Sequence, residues 1–540
     1  MATASEADDD IAISVASLET EPGRMRAPSR ASVTERMLSA ARNKVVGVID
    51  ETSGQVKEEL EAANRLLMNI EHQLMKSRLS PLMDLMEENG SSASEKLAAS
   101  EQWRADKDTR TWLLRTFTGC DDMMAEGNQM LSPQSRLKTP SPRPRRNSTT
   151  FAAELETHML QTLIMPTASE LLKRAGCFDF DVVAFADLPE FGGRPITALG
   201  VHLVKNEGYV RLLCEEGVLP KASEFQNKLF QFLCNIDNAY GSLPYHNNIH
   251  AADVMMTMEW FFRSAYYQTQ VSNLDHLVGL VAGAIHDVGH PGKDNRFQSK
   301  TLAPMAIRYN DKSILENMHL AMGFELLQKD HSCNWFALLP QNFSIKEDPA
   351  QKADLQQYVR KTIITMVLAT DMVKHNSQVQ DLRKLVHEEA DHECEISLEA
   401  VGDDEKLLAR GHFQKQEALD KKFFLLEMAL HAADISNPCK PRALMLYWTE
   451  QVISEFWAQG DEERRLQLEI SPMCDRVSGS KAVPKGQAGF IDFVILPLWQ
   501  PLADLVAEAE EALALLKENR AFWEEKAIQN ALPEDIFPRR

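Results

Sequence analysis

Apolar residues recur at spacings of three and four along the chain from about residue 151 to residue 532. The pattern is clearest in four segments, at 225–238, 276–285, 355–368 and 423–433. This spacing places apolar residues on one face of an α-helix, and no segment with the alternating pattern of a β-strand competes with it. We therefore predict an all-α fold with one large domain over residues 153–535.

A second helical pattern precedes this domain. From Val56 to Leu74 apolar residues alternate steps of four and three, which is typical of a short coiled-coil seam. The seam is shorter than about three heptads, so a helix packed on its own protein is nearly as well supported as a homodimer contact. We predict a helical regulatory or dimerisation region over residues 33–130, and a disordered tail over residues 1–32, which lack apolar periodicity.

The segment between the two helical regions is rich in proline, basic and hydroxyl residues. Such a composition cannot bury a core, so we predict a flexible linker at residues 131–152. Within it, Arg145, Arg146 and Ser148 match the Arg-Arg-x-Ser target of a cyclic-AMP-dependent kinase. A phosphate on Ser148 would add nearly two negative charges, so a kinase is an expected partner. A solvated basic linker is an equally supported interpretation.

Composition and charge narrow the classes of function. The 540 residues are 44% hydrophobic and 25% charged, which is ordinary for a globular protein. A net charge of −21 disfavours nucleic acid or an anionic membrane surface as the main partner. The chain has no run of 18 apolar residues, and its acidic start lacks the basic region of a signal peptide. We expect a cytoplasmic protein without a membrane span and with reduced cysteines.

Three short clusters of histidine and aspartate lie inside the predicted domain, at residues 245–253, 286–292 and 431–438. In the first, His246 and His250 are four residues apart, so they would project from one face of a helix. The second contains His286 beside Asp287, and the third offers Asp434 from a predicted helix end. Imidazole and carboxylate without thiolate is the ligand set of a catalytic divalent-metal site. A single His-x-x-x-His pair is commonly an ordinary pair of surface or core histidines, but three clusters together favour a metal.

Six motifs follow one another within roughly residues 155–530. They are Tyr-His-Asn-x-x-His-Ala-Ala-Asp at 245–253, His-Asp-x-x-His-Pro-Gly at 286–292, Leu-Glu-Asn at 315–317, Thr-Asp-Met at 370–372, Asp-Ile-Ser-Asn-Pro at 434–438 and Gln-Ala-Gly-Phe-Ile-Asp at 487–492. In this order they resemble the class I cyclic nucleotide phosphodiesterases. Residues 470–475 and 497–499 resemble the type 4, cyclic-AMP-selective branch, although residues 432–436 are also similar to the calmodulin-dependent type 1 branch.

The resemblance implies a compact all-helical catalytic domain with an HD-type metal site, preceded by a helical regulatory arm. It also implies hydrolysis of cyclic AMP to the 5′-monophosphate, with cyclic GMP as a second candidate substrate. Two other interpretations stay open. One is another HD-type nucleotide phosphohydrolase, which would not need Gln487 and Phe490. The other is a catalytically silent homologue that binds cyclic nucleotide or scaffolds partners, which would not need His246.

The family pattern implies two divalent cations. By resemblance, the tighter ion, Zn²⁺, is bound by His250, His286, Asp287 and Asp434, and Asp287 also bridges to a second ion, Mg²⁺ or Mn²⁺. Such a pair lowers the pKa of a shared water from about 15.7 toward neutrality. His246 matches the family's general acid, which protonates the departing O3′ and contributes about 10² to 10⁴-fold.

Three further residues match positions that support the metals. His290 matches a position behind the first ion, while Glu316 and Thr370 match positions that hold waters on the second. For Thr370, a hydroxyl bonded to the backbone of its own helix is a competing interpretation.

The resemblance also implies a purine pocket. Phe490 and Val452 would clamp the flat base, Gln487 matches the purine-binding glutamine, and Asn437 matches a type 4 position associated with adenine. The other implied pocket residues are Tyr245, Met372 and Met473. For the two methionines, core packing is an equally supported role.

The chain departs from the family pattern at three positions. Met445 stands where type 4 relatives carry a tyrosine that helps to orient Gln487, which leaves the selectivity between cyclic AMP and cyclic GMP open. Gly289 and Met318 stand where many relatives carry an acidic residue and a histidine. These two changes predict weaker support for the second metal without the loss of a ligand.

Overall fold

The computed structural model describes residues 158–206, 208–344, 352–399 and 413–537. All of them belong to the second of two units of the chain, Arg104–Arg540. The predicted tail at 1–32, helical region at 33–130 and linker at 131–152 lie outside the described residues, and so does Ser148. Those boundaries, the dimer contact and the phosphorylation site therefore stay predictions.

The described part of the chain is built of helices, which confirms the predicted all-α fold. In chain order the α-helices are α1 (Pro166–Leu172), α2 (Val182–Ala186), α3 (Pro195–Val201), α4 (Tyr209–Glu215), α5 (Ala222–Ala239), α6 (Asn248–Arg263), α7 (Ala265–Gln270), α8 (Asn273–Ile285), α9 (Asn295–Lys300), α10 (Pro304–Tyr309), α11 (Ile314–Gln328), α12 (Leu355–Leu368), α13 (His375–Glu399), α14 (Phe413–Asp434), α15 (Arg442–Arg465), α16 (Arg476–Gly479), α17 (Val483–Phe490), α18 (Leu496–Leu505), α19 (Ala509–Ile528) and α20 (Pro533–Ile536).

Shorter elements join these helices. The 3₁₀-helices are Pro189–Phe191, Phe336–Leu338, Met372–Lys374, Asn437–Cys439 and Ser480–Ala482, and the π-helical turns are His202–Asn206 and Ile491–Ile495. The strands β1 (Phe343–Ser344) and β2 (Lys352–Ala353) pair antiparallel. The four segments with the clearest helical spacing all lie within α5, α8, α12 and α14. Helix α13 carries the acidic residues from Glu388 to Glu395 and ends at Glu399.

Two nearly fully buried helices form the centre of the domain. Every residue of α6 from His250 to Phe262 is buried, and every residue of α8 from Leu274 to Ile285 is buried. A helix that is shielded on all sides has to be surrounded by other helices, and α6 packs against α8, α3 and α14. The ends of these central helices therefore lie inside the protein, where polar residues at their termini become a buried site.

The helical segment Ser480–Leu505 is long and apolar enough, by length and composition, to cross a membrane. Core helices of globular proteins pass the same test, and 56% of its most apolar window is buried. The same segment contributes Gln487 and Phe490 to an internal pocket, and Asp492 forms an ion pair with Arg520 at 3.0 Å. The expectation that the chain has no membrane span stays a prediction.

Candidate active site

The first histidine cluster is arranged by the cap of α6. The side chain of Asn247 accepts the N–H groups of Ile249 (2.9 Å) and His250 (3.0 Å), and its amide donates to the carbonyl oxygen of Leu243. His250 therefore lies in the first turn of α6, whereas His246 lies before the cap. The prediction that the two histidines share one helix face is wrong, because the helix begins between them.

The other two clusters lie at the C-terminal ends of α8 and α14. His286 and Asp287 directly follow α8, and the chain then turns, with the His290 N–H donating to the carbonyl oxygen of Asp287 (3.1 Å). Gly289 in this turn has a φ of +74°, in the left-handed region that favours glycine. Asp434 is the last residue of α14, so the prediction of a carboxylate from a helix end is confirmed.

Four side chains from these helix ends each offer one ligand atom within 4.8 Å of the others, and they are His250, His286, Asp287 and Asp434. His250 Nε2 lies 3.1 Å from Asp434 Oδ1. His286 Nε2 lies 3.2 Å from Asp287 Oδ2 and 3.3 Å from Asp434 Oδ1. The imidazoles are buried and both carboxylates reach the pocket described below. The four predicted metal ligands thus converge on one point.

The chemistry of His286 tests whether this point fits a cation. Its Nδ1 donates to the carbonyl oxygen of Gly283 (2.8 Å), so Nε2 of the neutral ring carries a lone pair. Nε2 is buried without a hydrogen bond and faces two carboxylate oxygens. Burial opposes a charge on the ring, but the carboxylates outweigh burial and raise the pKa of His286 well above its ordinary value. The two carboxylates beside His286 Nε2 favour a positive charge at this point, and a divalent cation bound by the four side chains would supply that charge.

A second group of polar side chains adjoins the opposite oxygen of Asp287. His319 Nε2 lies 3.5 Å from Asp287 Oδ1, while its Nδ1 donates to the carbonyl oxygen of Val288 (2.9 Å). Burial lowers the pKa of His319 to about 4, so the ring is neutral at physiological pH. Asp287, His290 and His319 also lie close enough together to hold a cation. These three side chains could hold a second cation beside the first.

Two predicted supporting residues lie around this second group. Glu316 is buried, with Asn295 Nδ2 donating to its two oxygens at 3.2 and 3.1 Å. Burial and the charge of Asp371 raise the pKa of Glu316 to about 7. The Thr370 hydroxyl donates to the carbonyl oxygen of Val367 (2.8 Å), which agrees with the competing interpretation, yet Thr370 also lines the pocket.

His246 forms a pair with Glu455 from α15, a residue that sequence reasoning missed. His246 Nδ1 bonds to Glu455 Oε1, and Glu455 Oε2 accepts the main-chain N–H groups of Tyr245 (3.0 Å) and His246 (3.1 Å). Burial opposes both charges, but their mutual attraction prevails. It raises the pKa of His246 to about 9, helped by Asp287, and lowers that of Glu455 to about 2. The one sequence indication of Glu455 was its spacing, three residues after Val452 on the same face of α15.

The predicted supporting residue His290 stacks on His246. The ring centroids are 3.8 Å apart and the planes differ by 21°. His290 Nδ1 accepts the Gly292 N–H (3.0 Å), and burial together with the charge of His246 holds the pKa of His290 well below its ordinary value. A neutral imidazole therefore covers the face of the charged His246 ring.

Most of these groups line one pocket of about 540 Å³. Its lining contains His246, Asp287, Asp434, Glu316 and Thr370, with His250 and His286 behind it. It also brings together every predicted substrate-binding residue, which are Tyr245, Met372, Asn437, Val452, Met473, Gln487 and Phe490. The pocket therefore joins an imidazole and carboxylate end, suited to a metal and a phosphate, to an end of aromatic, aliphatic and amide groups.

The amide of Asn437 has a defined orientation in this pocket. Its Nδ2 donates to the hydroxyl oxygen of the buried Tyr245. Its Oδ1 is buried and has no hydrogen-bond partner among the described residues. Asn437 therefore presents an acceptor, which is suited to a ligand that carries a donor.

The fold and the site together define a class of protein: an all-helical domain with a pocket whose His and Asp side chains could hold a metal. Residues 245–516 match the family model of the 3′,5′-cyclic nucleotide phosphodiesterases. The chain belongs to this family, which confirms the family predicted from the six motifs.

Curated relatives and solved structures agree with this assignment. The chain is 38% identical to the rat 3′,5′-cyclic-AMP phosphodiesterase 4C over 67% of this chain and 59% of the relative. It is 38% identical to the probable 3′,5′-cyclic-AMP phosphodiesterase pde-4 of Caenorhabditis elegans over 57% of this chain and 41% of the relative. The chain thus spans about half the length of these relatives, and the resemblance to the type 4 branch is confirmed.

The fold is shared with a more distant structure. The phosphodiesterase domain of the RhoPDE fusion protein from the choanoflagellate Salpingoeca rosetta superposes with a TM-score of 0.52 and 24% identity. The match covers 69% of this chain and 98% of that domain. At this identity the likeness concerns the fold alone.

Proposed function

We propose that the chain is a metal-dependent phosphodiesterase that hydrolyses 3′,5′-cyclic AMP to the 5′-monophosphate and so ends cyclic nucleotide signalling. The observation that carries the proposal is the single pocket in which the metal-binding cluster, His246 and the amide groups of Asn437 and Gln487 meet. The names of the type 4 relatives support cyclic AMP as the substrate.

We assign Zn²⁺ to His250, His286, Asp287 and Asp434, and Mg²⁺ or Mn²⁺ to the side of Asp287 that faces His319. Imidazole and carboxylate ligands suit Zn²⁺, while Mg²⁺ or Mn²⁺ prefers oxygen ligands, which Asp287 and water would supply at the second position. When bound, such a pair makes a water nucleophilic at neutral pH and offsets the negative charge of the phosphate.

His246 is the proposed general acid. Its Nδ1 is bound to Glu455, so the proton available for transfer is on Nε2, which lies 4.0 Å from Asp287 Oδ2 at the metal-binding end. The pKa of about 9 keeps this proton in place at neutral pH, although cations bound beside Asp287 would oppose part of that rise. His246 would deliver the proton to the departing O3′ oxygen of the ribose.

The far end of the pocket would hold the purine. The aromatic ring of Phe490 and the aliphatic side chain of Val452 offer apolar surfaces to the base, and Gln487 offers both a donor and an acceptor. The unpartnered Oδ1 of Asn437 suits the exocyclic amine of adenine, whereas guanine presents an oxygen at the corresponding position. This difference supports cyclic AMP as the preferred substrate and cyclic GMP as a slower one.

The proposal also concerns the location and the partners of the protein. The protein would act in the cytoplasm without a membrane span, and its net charge of −21 disfavours a nucleic-acid partner. A homodimer contact through residues 33–130 and a kinase that acts on Ser148 complete the proposal. Gel filtration with and without residues 1–130, and mass spectrometry after kinase treatment of the wild type and Ser148→Ala, test these two points.

The central test measures the hydrolysis of cyclic AMP and cyclic GMP side by side by the full-length protein with Mg²⁺ present. We expect turnover of cyclic AMP that His246→Ala lowers by at least about a hundredfold. The exposed His331 provides a matched histidine control, since His331→Ala should leave turnover unchanged. No turnover of either nucleotide by the wild type, with metals added, would favour the silent homologue.

A further inference from the structure

The segment that joins α15 to α16, residues 466–475, brings Met473 into the pocket. Met473 has a φ of +67°, in the left-handed region that residues with a Cβ atom rarely adopt. Such a conformation persists only where the surrounding contacts impose it. The contacts of this segment therefore show what holds Met473 in place.

The strongest of these contacts come from Glu463 on α15, whose side chain is fully buried. Its Oε2 accepts the Ser471 N–H and its Oε1 accepts the Ser471 hydroxyl, both at 2.6 Å. Its main-chain oxygen accepts the Leu468 N–H (2.9 Å). Hydrogen bonds to a carboxylate are among the stronger ones in proteins, so Glu463 fixes the chain two residues before Met473.

A close approach of two backbones fixes the other side of Met473. Gly460 lies one turn before Glu463 on α15, and a Cβ atom there would lie 1.9 Å from the carbonyl oxygen of Cys474. The backbone of Cys474 is thus in direct contact with α15, and its N–H donates to the carbonyl oxygen of Ser471 (3.0 Å). Met473 lies between two points that are both attached to α15.

Met473 in turn packs against α17. A Cβ atom at Gly486 would lie 2.5 Å from Met473 Cε, so the end of the methionine side chain occupies the space beside this glycine. Gly486 directly precedes Gln487, and Met473, Gly486 and Gln487 all line the pocket. The placement of Met473 therefore limits where the backbone of Gln487 can lie.

The buried carboxyl group of Glu463 is held by hydrogen bonds alone. Besides Ser471, its side chain bonds to Gln459 Nε2 (3.3 Å), and no Lys, Arg or His among the described residues forms an ion pair with it. A buried carboxylate without a counter-charge is costly unless its hydrogen bonds compensate. The shortest hydrogen bonds that compensate here are the two from Ser471 in the Met473 segment, and Gln459 adds a longer one.

We propose that Glu463 is a positioning residue that acts through Ser471 and Met473 to fix Gln487, and so helps to set which purine the pocket accepts. The contact pathway stands on the geometry alone, whereas the effect on the purine rests on the proposed function. The experiment therefore has one arm that does not depend on activity and one that does.

The first arm is backbone hydrogen exchange of the full-length protein. We compare Glu463→Gln with Glu462→Gln, which alters the neighbouring, partly exposed carboxylate paired with Arg465. We expect faster exchange in Glu463→Gln at residues 466–475 and also at residues 486–487, with neither change in Glu462→Gln. Faster exchange confined to residues 466–475 would overturn the pathway to Gln487.

The second arm compares the KM and kcat of cyclic AMP and cyclic GMP. We expect Glu463→Gln to raise KM for cyclic AMP roughly tenfold, to change kcat less than about threefold, and to alter the ratio of the two KM values. Equal changes for both nucleotides would overturn the role in selectivity. A wild type that hydrolyses neither nucleotide would refute the proposed function, while hydrogen exchange would still decide the contact pathway.

Two further variants guard against a folding failure of Glu463→Gln. Ser471→Ala removes only the hydroxyl bond to Glu463, and Gly486→Ala displaces the flexible end of Met473 directly. We expect both to alter the KM ratio in the same direction as Glu463→Gln. Opposite directions, or an unchanged ratio in both folded variants, would also overturn the proposal.

Discussion

The pairing of Glu455 with His246 gives a prediction that separates a general acid from a merely structural histidine. Glu455→Gln preserves the size of the side chain but removes its charge. One oxygen can still accept the main-chain N–H of Tyr245 or His246, which Glu455 Oε2 accepts now at 3.0 and 3.1 Å. The charged bond from Oε1 to His246 Nδ1 is lost.

The size of the effect follows from the position of the charge. An opposite charge at hydrogen-bond distance changes a pKa by roughly 1 to 3 pH units, and each unit corresponds to about 1.4 kcal/mol. The pKa of His246, now about 9, should therefore fall by at least one pH unit in the variant. Loss of a partner that orients an active-site imidazole costs about 10- to 100-fold, so we expect a fall of that size in kcat at neutral pH.

The assay is kcat for cyclic AMP across the range from neutral to alkaline pH. A general acid works only when protonated, so kcat is lost as the pH rises through its pKa in the substrate complex. Because Glu455→Gln lowers that pKa by at least one pH unit, the loss of kcat at alkaline pH should begin at least one pH unit lower than in the wild type. Glu462→Gln, seven residues further along α15, is the matched control. An alkaline limb that does not move, with kcat within about twofold of the wild type, would refute the role of His246.

Three further predictions concern metal binding and stability. After metal removal, added Zn²⁺ should stabilise the wild type by about 2.7 kcal/mol at a hundred times Kd and so raise its melting temperature. The melting temperature of Asp434→Asn should not rise, and equal shifts in the two proteins would contradict Asp434 as a metal ligand. Gly289→Ala should lower the free energy of unfolding in denaturant by about 1 to 3 kcal/mol, because φ is +74° and the new Cβ atom would lie 2.4 Å from Met322 Sδ. An unchanged free energy of unfolding would contradict this strain. Lys440→Ala should lower the free energy of unfolding by about 3 to 5 kcal/mol in the same assay, because the buried Asp253, whose Oδ1 lies 3.1 Å from Lys440 Nζ, would lose its partner. A loss under about 1 kcal/mol would contradict a stabilising role for this ion pair.

The sequence predicted the features that depend on local spacing. Residues 355–368, for example, form α12 with the predicted bounds, because apolar spacing and helix geometry are both properties of one short segment. The convergence of His250, His286 and Asp434 was also predictable, since a shared ligand chemistry marks three distant segments as one site. The sequence therefore predicts those features that follow from residue type and from the spacing within one segment.

Contacts between distant segments could not be predicted where no shared chemistry marks the two residues in the sequence. Glu455 is 209 residues from His246, and its sequence neighbourhood is that of an ordinary amphipathic helix. The pairing arises only because α15 lies beside the segment before α6. The same reason explains the missed contribution of His319, which reaches Asp287 from α11. The error at His246 was local, because the capping role of Asn247 was not weighed against the helical spacing.

The position of Met445 leads to a prediction about substrate selectivity. Met445 is buried, its carbonyl oxygen accepts the Thr449 hydroxyl (2.8 Å), and its sulfur lies 3.6 Å from the Thr449 hydroxyl oxygen. By the family resemblance, Met445 stands where a tyrosine hydroxyl would orient the amide of Gln487, and a thioether, at best a weak acceptor, would not replace that hydroxyl. Under the proposed function, discrimination between purines would then depend mainly on the acceptor of Asn437.

One such hydrogen bond contributes about 0.5 to 1.5 kcal/mol, and leaving its buried acceptor unpaired costs about 1 to 3 kcal/mol. We therefore expect kcat/KM for cyclic AMP to exceed that for cyclic GMP by about 10- to 100-fold. A site in which every polar group rejects the wrong base would reach about 10⁴-fold or more. Competition between the two nucleotides in one assay measures the ratio directly. A ratio near 10⁴ would mean that Gln487 is held by another contact, and Asn437→Ala would then leave most of the discrimination intact.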